Sequence, residues 1–353
     1  MDLRAQAAML GPRRLASVFF GGGTPSLMPP EWLQSLVAEA RALFAPYTDE
    51  ISRPVYEDGG RGESHSDAVE ITLEANPTDA EIARYRAFRA AGVNRLSLGV
   101  QSLDDEALKF LGRNHSAAEA VRGIETAQEV FGRVSLDLIY ARPGQSPAGW
   151  RRELGAAAAL GVEHISPYQL TIESGTAFGR AVRRGRWRPV DDEAGEAFYF
   201  ETQAVLDSLG FEAYEVSNHA RGHAARSAHN VLVWEGVDYI GVGPGAHGRL
   251  TIDGTRHATT AVGDLKAYIA RVAETGTGHD RQALSPLEAE EEAVLLGLRL
   301  GEGLDLSRTP SLDLATRAIP LVEEGFLALD HNRLRATPKG RVVLDRLLLE
   351  LLS

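Results

Sequence analysis

Compact apolar runs and amphipathic stretches alternate through the first half of the chain. Ser17-Val-Phe-Phe20 ends at three glycines, and a helical pattern follows Pro29-Pro30 over 31–44. Glu70-Ile-Thr-Leu-Glu74 reads as the next strand, with a helix over 79–91 behind it. A strand over 95–100 is followed by helical stretches at 104–111 and 116–130. Then come a strand at 134–140, a helix at 147–160 and a strand at 164–170. Strand–helix alternation at this spacing suits a TIM-like barrel or a doubly wound parallel sheet. The barrel is favoured, because polar residues gather just past the strand ends, where barrels build their sites.

Two stretches depart from the alternation. Residues 45–67 are rich in Gly, Ser, Asp and Glu and read as a polar surface insertion without chemistry. From 286 the pattern becomes helices at 288–300 and 312–324, short β-like runs at 326–329 and 333–336, and a final helix at 338–352, a small winged-helix-like unit. The expected division is a barrel core over 1–180, a barrel extension over 181–285 and the helix-plus-wing unit over 286–353. Lys and Arg total 37 against 49 Asp and Glu, a net charge of −12. An acidic surface repels phosphate backbones, so nucleic acid is not an expected partner, and Glu288 and Glu290 to Glu292 make the wing a poor DNA reader. No apolar run is long enough for a membrane span and no signal peptide is legible, which points to the cytosol. The chain holds no cysteine. Disulfides, thiolate nucleophiles, Cys-ligated zinc and Cys-ligated iron–sulfur clusters are therefore excluded for its own residues.

Five polar motifs end successive predicted strands or open the following loops. Gly21-Gly22-Gly23-Thr24-Pro25 lets the backbone approach a ligand and present N–H groups to an anion. Leu73-Glu74-Ala-Asn-Pro77 places a carboxylate and an amide at a strand end. Gly99-Val-Gln101-Ser102, Gly112-Arg113-Asn-His115 and Asp137-Leu-Ile-Tyr140 with Pro143-Gly-Gln145 complete the set. Each alone is an ordinary cap or turn; in order, they line one face of a barrel.

This ordered set resembles the radical S-adenosylmethionine (SAM) proteins of the oxygen-independent coproporphyrinogen III oxidase type, over essentially the whole chain. His229-Asn230 with Trp234 further resembles the HNxxYW signature of the HemW-type haem chaperones, with Val233 where that pattern has Tyr. Ala141 and Arg142 stand where the family's segment has Gly and Leu. The resemblance implies a partial radical-SAM (β/α) barrel with a small C-terminal winged-helix-like domain. It implies SAM contacts from Gly22, Gly23, Thr24, Glu74, Gln101, Arg113 and Asp137, and makes His229 a candidate axial haem ligand. The implied task is to bind haem and pass it to an acceptor protein, using SAM and a [4Fe–4S] cluster in the full-length form. A coproporphyrinogen III oxidase of porphyrin biosynthesis is the alternative, and a non-radical metal-dependent barrel hydrolase a third.

The family's CxxxCxxC cluster loop has no counterpart here. Residues 1–7 read as the latter part of the helix before the GGGTP strand, so the expectation is a barrel lacking its first strand and cluster loop, on the order of 40 residues. His219, His223 and His229 could suggest zinc, but Gly222 interrupts the spacing and no carboxylate sits at the expected distance, so the expected reading is a polar loop with solvated histidines, His229 excepted as the candidate haem ligand. Gly241-Val-Gly-Pro-Gly245-Ala-His247 resembles a nucleotide fingerprint without a following helix, and in the family such a segment closes the site.

Overall fold

The computed structural model describes residues 1–46 and 69–353. Five parallel strands form its centre: β1 (Ser17–Phe20), β2 (Glu70–Ala75), β3 (Arg95–Gln101), β4 (Arg133–Tyr140) and β5 (His164–Gln169), paired in that order. The short strand His219–Ala220 adds antiparallel to β5, and Glu212–Ala213 adds beyond it. Among the described residues β1 pairs on one side only, with β2, so the sheet is an open part-barrel.

Parallel strands covered on both faces normally read as continuous apolar runs. These alternate instead. Ile71, Leu73, Leu96, Leu98, Leu136, Leu138 and Ile165 are fully buried beneath the outer helices, with Tyr85, Phe88, Ile124, Trp150 and Phe198. The intervening residues, Glu70, Thr72, Arg95, Ser97, Ser135, His164 and Ser166, are buried too, yet polar. They share the other face of the pleat and line the barrel interior.

The outer helices begin as their sequences dictate. Ser116 and Glu119 form a reciprocal capping box on Ala117–Val130, and Ser146 caps Pro147–Ala159 with proline in the first turn. The helix expected over 79–91 is two pieces, Asp79–Ile82 and Tyr85–Ala90, and that expected over 312–324 is likewise Leu314–Arg317 and Ile319–Glu323, with Pro320 in the first turn of the second piece. Ala45–Pro46, read as the start of the insertion, pairs in parallel with Arg14–Leu15; the rest of that stretch, 47–67, lies outside the described residues.

Past the part-barrel, helix Ala228–Trp234 leads into an antiparallel sheet of His247–Ile252, Thr255–Ala261 and His279–Ala283. Helix Asp2–Leu10 docks on it: the buried Asp2 accepts from Thr277 Oγ1 at 2.8 Å and Tyr268 Oη at 2.5 Å, and Gln6 Nε2 donates to the Gly241 carbonyl at 2.8 Å. The C-terminal unit packs Val294, Leu298, Leu321, Leu334, Leu347 and Leu351 around a second core with a small antiparallel sheet.

Candidate cofactor-binding site

The C-terminal ends of the parallel strands form the mouth of the part-barrel. After β1 the backbone enters the left-handed region at Gly22 (φ 77°) and Gly23 (φ 62°), and a side chain at either would project into open space. The loop is therefore held by conformation rather than packing, leaving its surface free for a ligand. The Gly22 N–H donates to Glu74 Oε2 at 3.1 Å, tying the glycine turn to β2. Burial pushes the Glu74 carboxyl above the usual range, with that N–H opposing. The Thr24 side chain makes no capping bond to the following turn, so its hydroxyl is not committed there.

Asp137 on β4 faces the same space. It accepts from Ser97 Oγ at 3.2 Å and from the Ser166 hydroxyl, and Ser135 Oγ donates to Ser97 at 2.9 Å behind it. Burial first, and the Glu74 charge second among the raising influences, lift its carboxyl to about 7. Two carboxylates on adjoining walls, both reluctant to ionise, make the mouth receptive to a cation.

Gln101 ends β3 at φ 65°, where its register with β4 breaks. A non-glycine residue in that region carries strain of order 1 kcal/mol. What holds it is next door: Ser102 donates to Glu153, Leu103 N donates to Glu153 Oε1 at 3.0 Å, and Arg142 bridges Ser102 and Glu153. Arg142 is thus buried and paired where the family segment has Leu. Ala141 sits at φ 58° where that segment has Gly. Arg113 follows β3 on a loop anchored by His115 Nε2, 3.0 Å from the Val100 carbonyl. Its Nε is buried without a partner among the described residues, and burial pushes its guanidinium pKa down.

The opposite end of the barrel is closed by the start of helix Ala228–Trp234. Glu70, at the first residue of β2, accepts from the backbone N–H groups of Ala228 and His229 at 3.0 Å each and from Arg133 Nη1 at 2.7 Å. Burial would raise Glu70, but Arg95 and Arg133 with those N–H groups hold it below the usual carboxylate range. The His229 ring stacks on Phe19 at 4.5 Å. Burial lowers the His229 pKa against the pull of Glu70, so the imidazole is neutral at pH 7, the form that ligates metals. On the far wall His164 Nε2 lies 2.8 Å from the Tyr214 hydroxyl.

The histidines of 219–229 do not converge. His219 is buried rather than solvated, 3.2 Å from Gln203 Oε1 and lowered by burial to about 3, which corrects the expectation of a solvated loop. His223 is half-buried on a separate short turn. Among the described residues no group of three or more His, Cys, Asp or Glu could hold a metal ion, so the hydrolase alternative has no ligand set there. The glycine segment 241–247 runs into a strand, and it bonds to Gln6, Tyr268 and the neighbouring strand at Thr260 to Val262, with no bond to the glycine turn or Asp137 among the described residues. Glu70, Arg95, Ser97, Ser166 and Phe19 escaped the sequence reading. Their signal was available: polar residues at alternate positions of strands that a parallel sheet would otherwise fill with apolar ones.

The Radical SAM superfamily matches residues 2–154 and the HemN C-terminal domain residues 284–343. Radical S-adenosyl methionine domain-containing protein 1, mitochondrial, of Bos taurus is 41% identical over 360 residues, covering 97% of this chain and 77% of its own. The heme chaperone HemW of Mycobacterium tuberculosis is 34% identical, covering 100% and 84%, and that of Bacillus subtilis 32%, covering 95% and 85%. This chain belongs to the radical SAM superfamily, in its HemW/HemN-like group. The solved coproporphyrinogen III oxidase (HemN) of Escherichia coli superposes with a TM-score of 0.76 at 22% identity, over 99% of this chain and 80% of that one. That likeness establishes the TIM-like radical SAM barrel and the small C-terminal domain. Among the described residues no helix is long and apolar enough to cross a membrane.

The family implies SAM and a [4Fe–4S] cluster, and the two fare differently. The mouth suits SAM: an open glycine cradle, carboxylates for a cationic group and an Arg113 Nε with no partner of its own. The cluster does not fit, because this radical SAM chain has no thiolate to offer.

Proposed function

We propose that this chain is a haem carrier of the HemW type, binding haem through His229 and SAM at the barrel mouth, and delivering haem to an acceptor protein. The observation that carries the reading is His229 itself: a neutral imidazole stacked on Phe19, with its backbone N–H pinned by the buried Glu70. A histidine held this way loses little freedom on taking up iron, and its neighbours do not compete for the lone pair. The names of relatives at 32–34% identity support the same direction.

At the mouth, the N–H of Gly23 and the hydroxyl of Thr24 would meet the amino acid part of SAM, with Gly22, whose N–H is held by Glu74, shaping the cradle and Arg113 on its carboxylate. Glu74 and Asp137 would face its cationic and hydroxyl groups, and Gln101 would complete the wall. SAM supplies a sulfonium centre open to reductive cleavage; the residues of this chain bind and orient, and hold a proton at Asp137. A coproporphyrinogen oxidase would need that cleavage, which the donor set here does not support.

Haem titration of the parent is expected to shift the Soret band. The shift should weaken on His229→Ala and be little changed on His223→Ala, with circular dichroism first showing a cooperative fold. Equal loss from both substitutions, or no binding by a folded parent, overturns the assignment.

A further inference from the structure

The segment joining β5 to helix Asp192–Ser208 carries a feature that neither SAM nor His229 uses. Between 177 and 190 it holds Arg180, Arg183, Arg184, Arg186 and Arg188 and no acidic residue, in a chain of net charge −12. All five are exposed. Arg180 Nη1 donates to the Gly175 carbonyl at 2.5 Å; none of the five has an ion-pair partner among the described residues. Uncompensated cations this dense are out of keeping with an acidic surface, and they raise the local concentration of anions.

Position gives the charge a meaning. The segment follows the C-terminal end of β5, so it lies on the mouth side of the part-barrel. It folds back against the connection after β3: Phe110 meets Phe178 and Trp187 at 5.3 Å each, and Phe178 meets Trp187 at 5.7 Å. Phe110 ends the helix whose next loop carries Arg113. The three half-buried rings thus form an aromatic rim, with Trp187 between Arg186 and Arg188 in the chain.

We propose that Phe110, Phe178 and Trp187, with Arg183, Arg184, Arg186 and Arg188, form a capture site for the carboxylate-bearing edge of a tetrapyrrole. The guanidinium groups pair with its propionates and the aromatic rim contacts its planar face. The site is one of first encounter and does not require iron. It deepens the haem-carrier reading, which rests on His229, but its recognition chemistry is separate: carboxylate and ring here, metal ligation there.

Metal-free protoporphyrin IX is therefore the decisive probe, compared with its dimethyl ester, and read by quenching of tryptophan fluorescence in stopped flow. The full chain is used, with a fourfold variant R183Q/R184Q/R186Q/R188Q and the matching fourfold Lys variant. Arg180 is left in place because it bonds the backbone. At low ionic strength the Gln variant should associate about tenfold more slowly than the parent, the Lys variant should recover most of the rate, and salt should erase the difference. The ester should bind the parent no faster than the acid binds the Gln variant. Equal rates for parent and Gln variant, equal rates for acid and ester, or no quenching by a folded parent each overturn the capture site. None of these outcomes touches His229, since the probe has no iron. Conversely, loss of the haem Soret shift on His229→Ala says nothing of the arginines, so the two readings fail separately.

Discussion

Asp137→Asn probes the least ordinary charge of the mouth. The carboxyl is lifted from 3.8 to about 7 by burial and by the neighbouring Glu74, with the Ser166 and Ser97 hydroxyls opposing. A rise of that size corresponds to roughly 4 kcal/mol in favour of the protonated form. Asp137 is only partly buried by accessible area, and solvent screening leaves about 2 kcal/mol to be expected in practice. The sign follows from linkage. Between the unfolded value near 4 and the folded value near 7, the native chain holds a proton that the unfolded chain has released. The contribution is complete below about 4 and is lost as pH climbs through about 7. The amide of the variant cannot titrate and keeps the shape of the neutral acid. Urea unfolding of both proteins at pH 5, 6, 7 and 8 gives a difference in which other titrating groups largely cancel. Relative to the variant, the parent should lose a little over 1 kcal/mol, roughly two thirds of the whole, from pH 5 to pH 8, the rest having been lost between about pH 4 and 5. A flat difference would mean that Asp137 is an ordinary ionised carboxylate, and the reading that it holds a proton at neutral pH would fall.

Ala141→Gly should raise stability by about 0.5–1 kcal/mol in thermal or urea unfolding, since it removes left-handed strain at φ 58° that outweighs the added freedom of the unfolded chain. Glu70→Gln should cost about 3 kcal/mol, because Arg133 and Arg95 lose their buried counter-charge, and hydrogen exchange in 228–234 should quicken more than in 117–130. Arg113→Gln should weaken SAM binding at least tenfold by calorimetry while moving the unfolding free energy by less than about 0.5 kcal/mol, as its Nε has no partner to lose. Reconstitution of this chain with iron and sulfide should give no cluster absorbance and no 5′-deoxyadenosine from SAM; either product would overturn the reading of its donor set.

Much of the barrel was legible because period and punctuation agreed. Ser116 with Glu119, Ser146 before Pro147 and the glycines after Phe20 each mark a boundary that the structure keeps. The breaks at Ala83–Arg84 and around Pro320 were less legible, since the apolar stripe continues through them. Glu74, Gln101, Arg113 and Asp137 could be singled out one motif at a time, but their relations could not. That Glu74 raises Asp137 depends on pleat and register across strands far apart in sequence, and that Arg142 pairs with Glu153 rather than facing the site depends on how helix Pro147–Ala159 folds back over its loop. His219 shows the opposite failure: flanked by small and polar residues, it reads as a loop histidine, and only helix Asp192–Ser208 brings Gln203 over it.

The division of charge along the barrel interior supports the proposal that its two ends take different ligands. At the floor the carboxylates of Glu70 and Glu163 are matched by Arg133 and Arg95, and Glu70 also accepts from two backbone N–H groups, a set that fixes a helix and balances in charge. Among the described residues the mouth carboxylates Glu74 and Asp137 accept hydrogen bonds from hydroxyls and one backbone N–H, with the charge of Arg95 reaching Asp137, and Arg113 Nε has no partner. A balanced set favours rigidity, which a metal-binding imidazole needs, whereas an open set favours a ligand that brings its own cation and carboxylate. The inner face is continuous from one to the other through Ser97, Ser135 and Arg95, all buried. Replacing its polar residues with the apolar ones of an ordinary parallel strand would preserve the outer core and remove both ends at once.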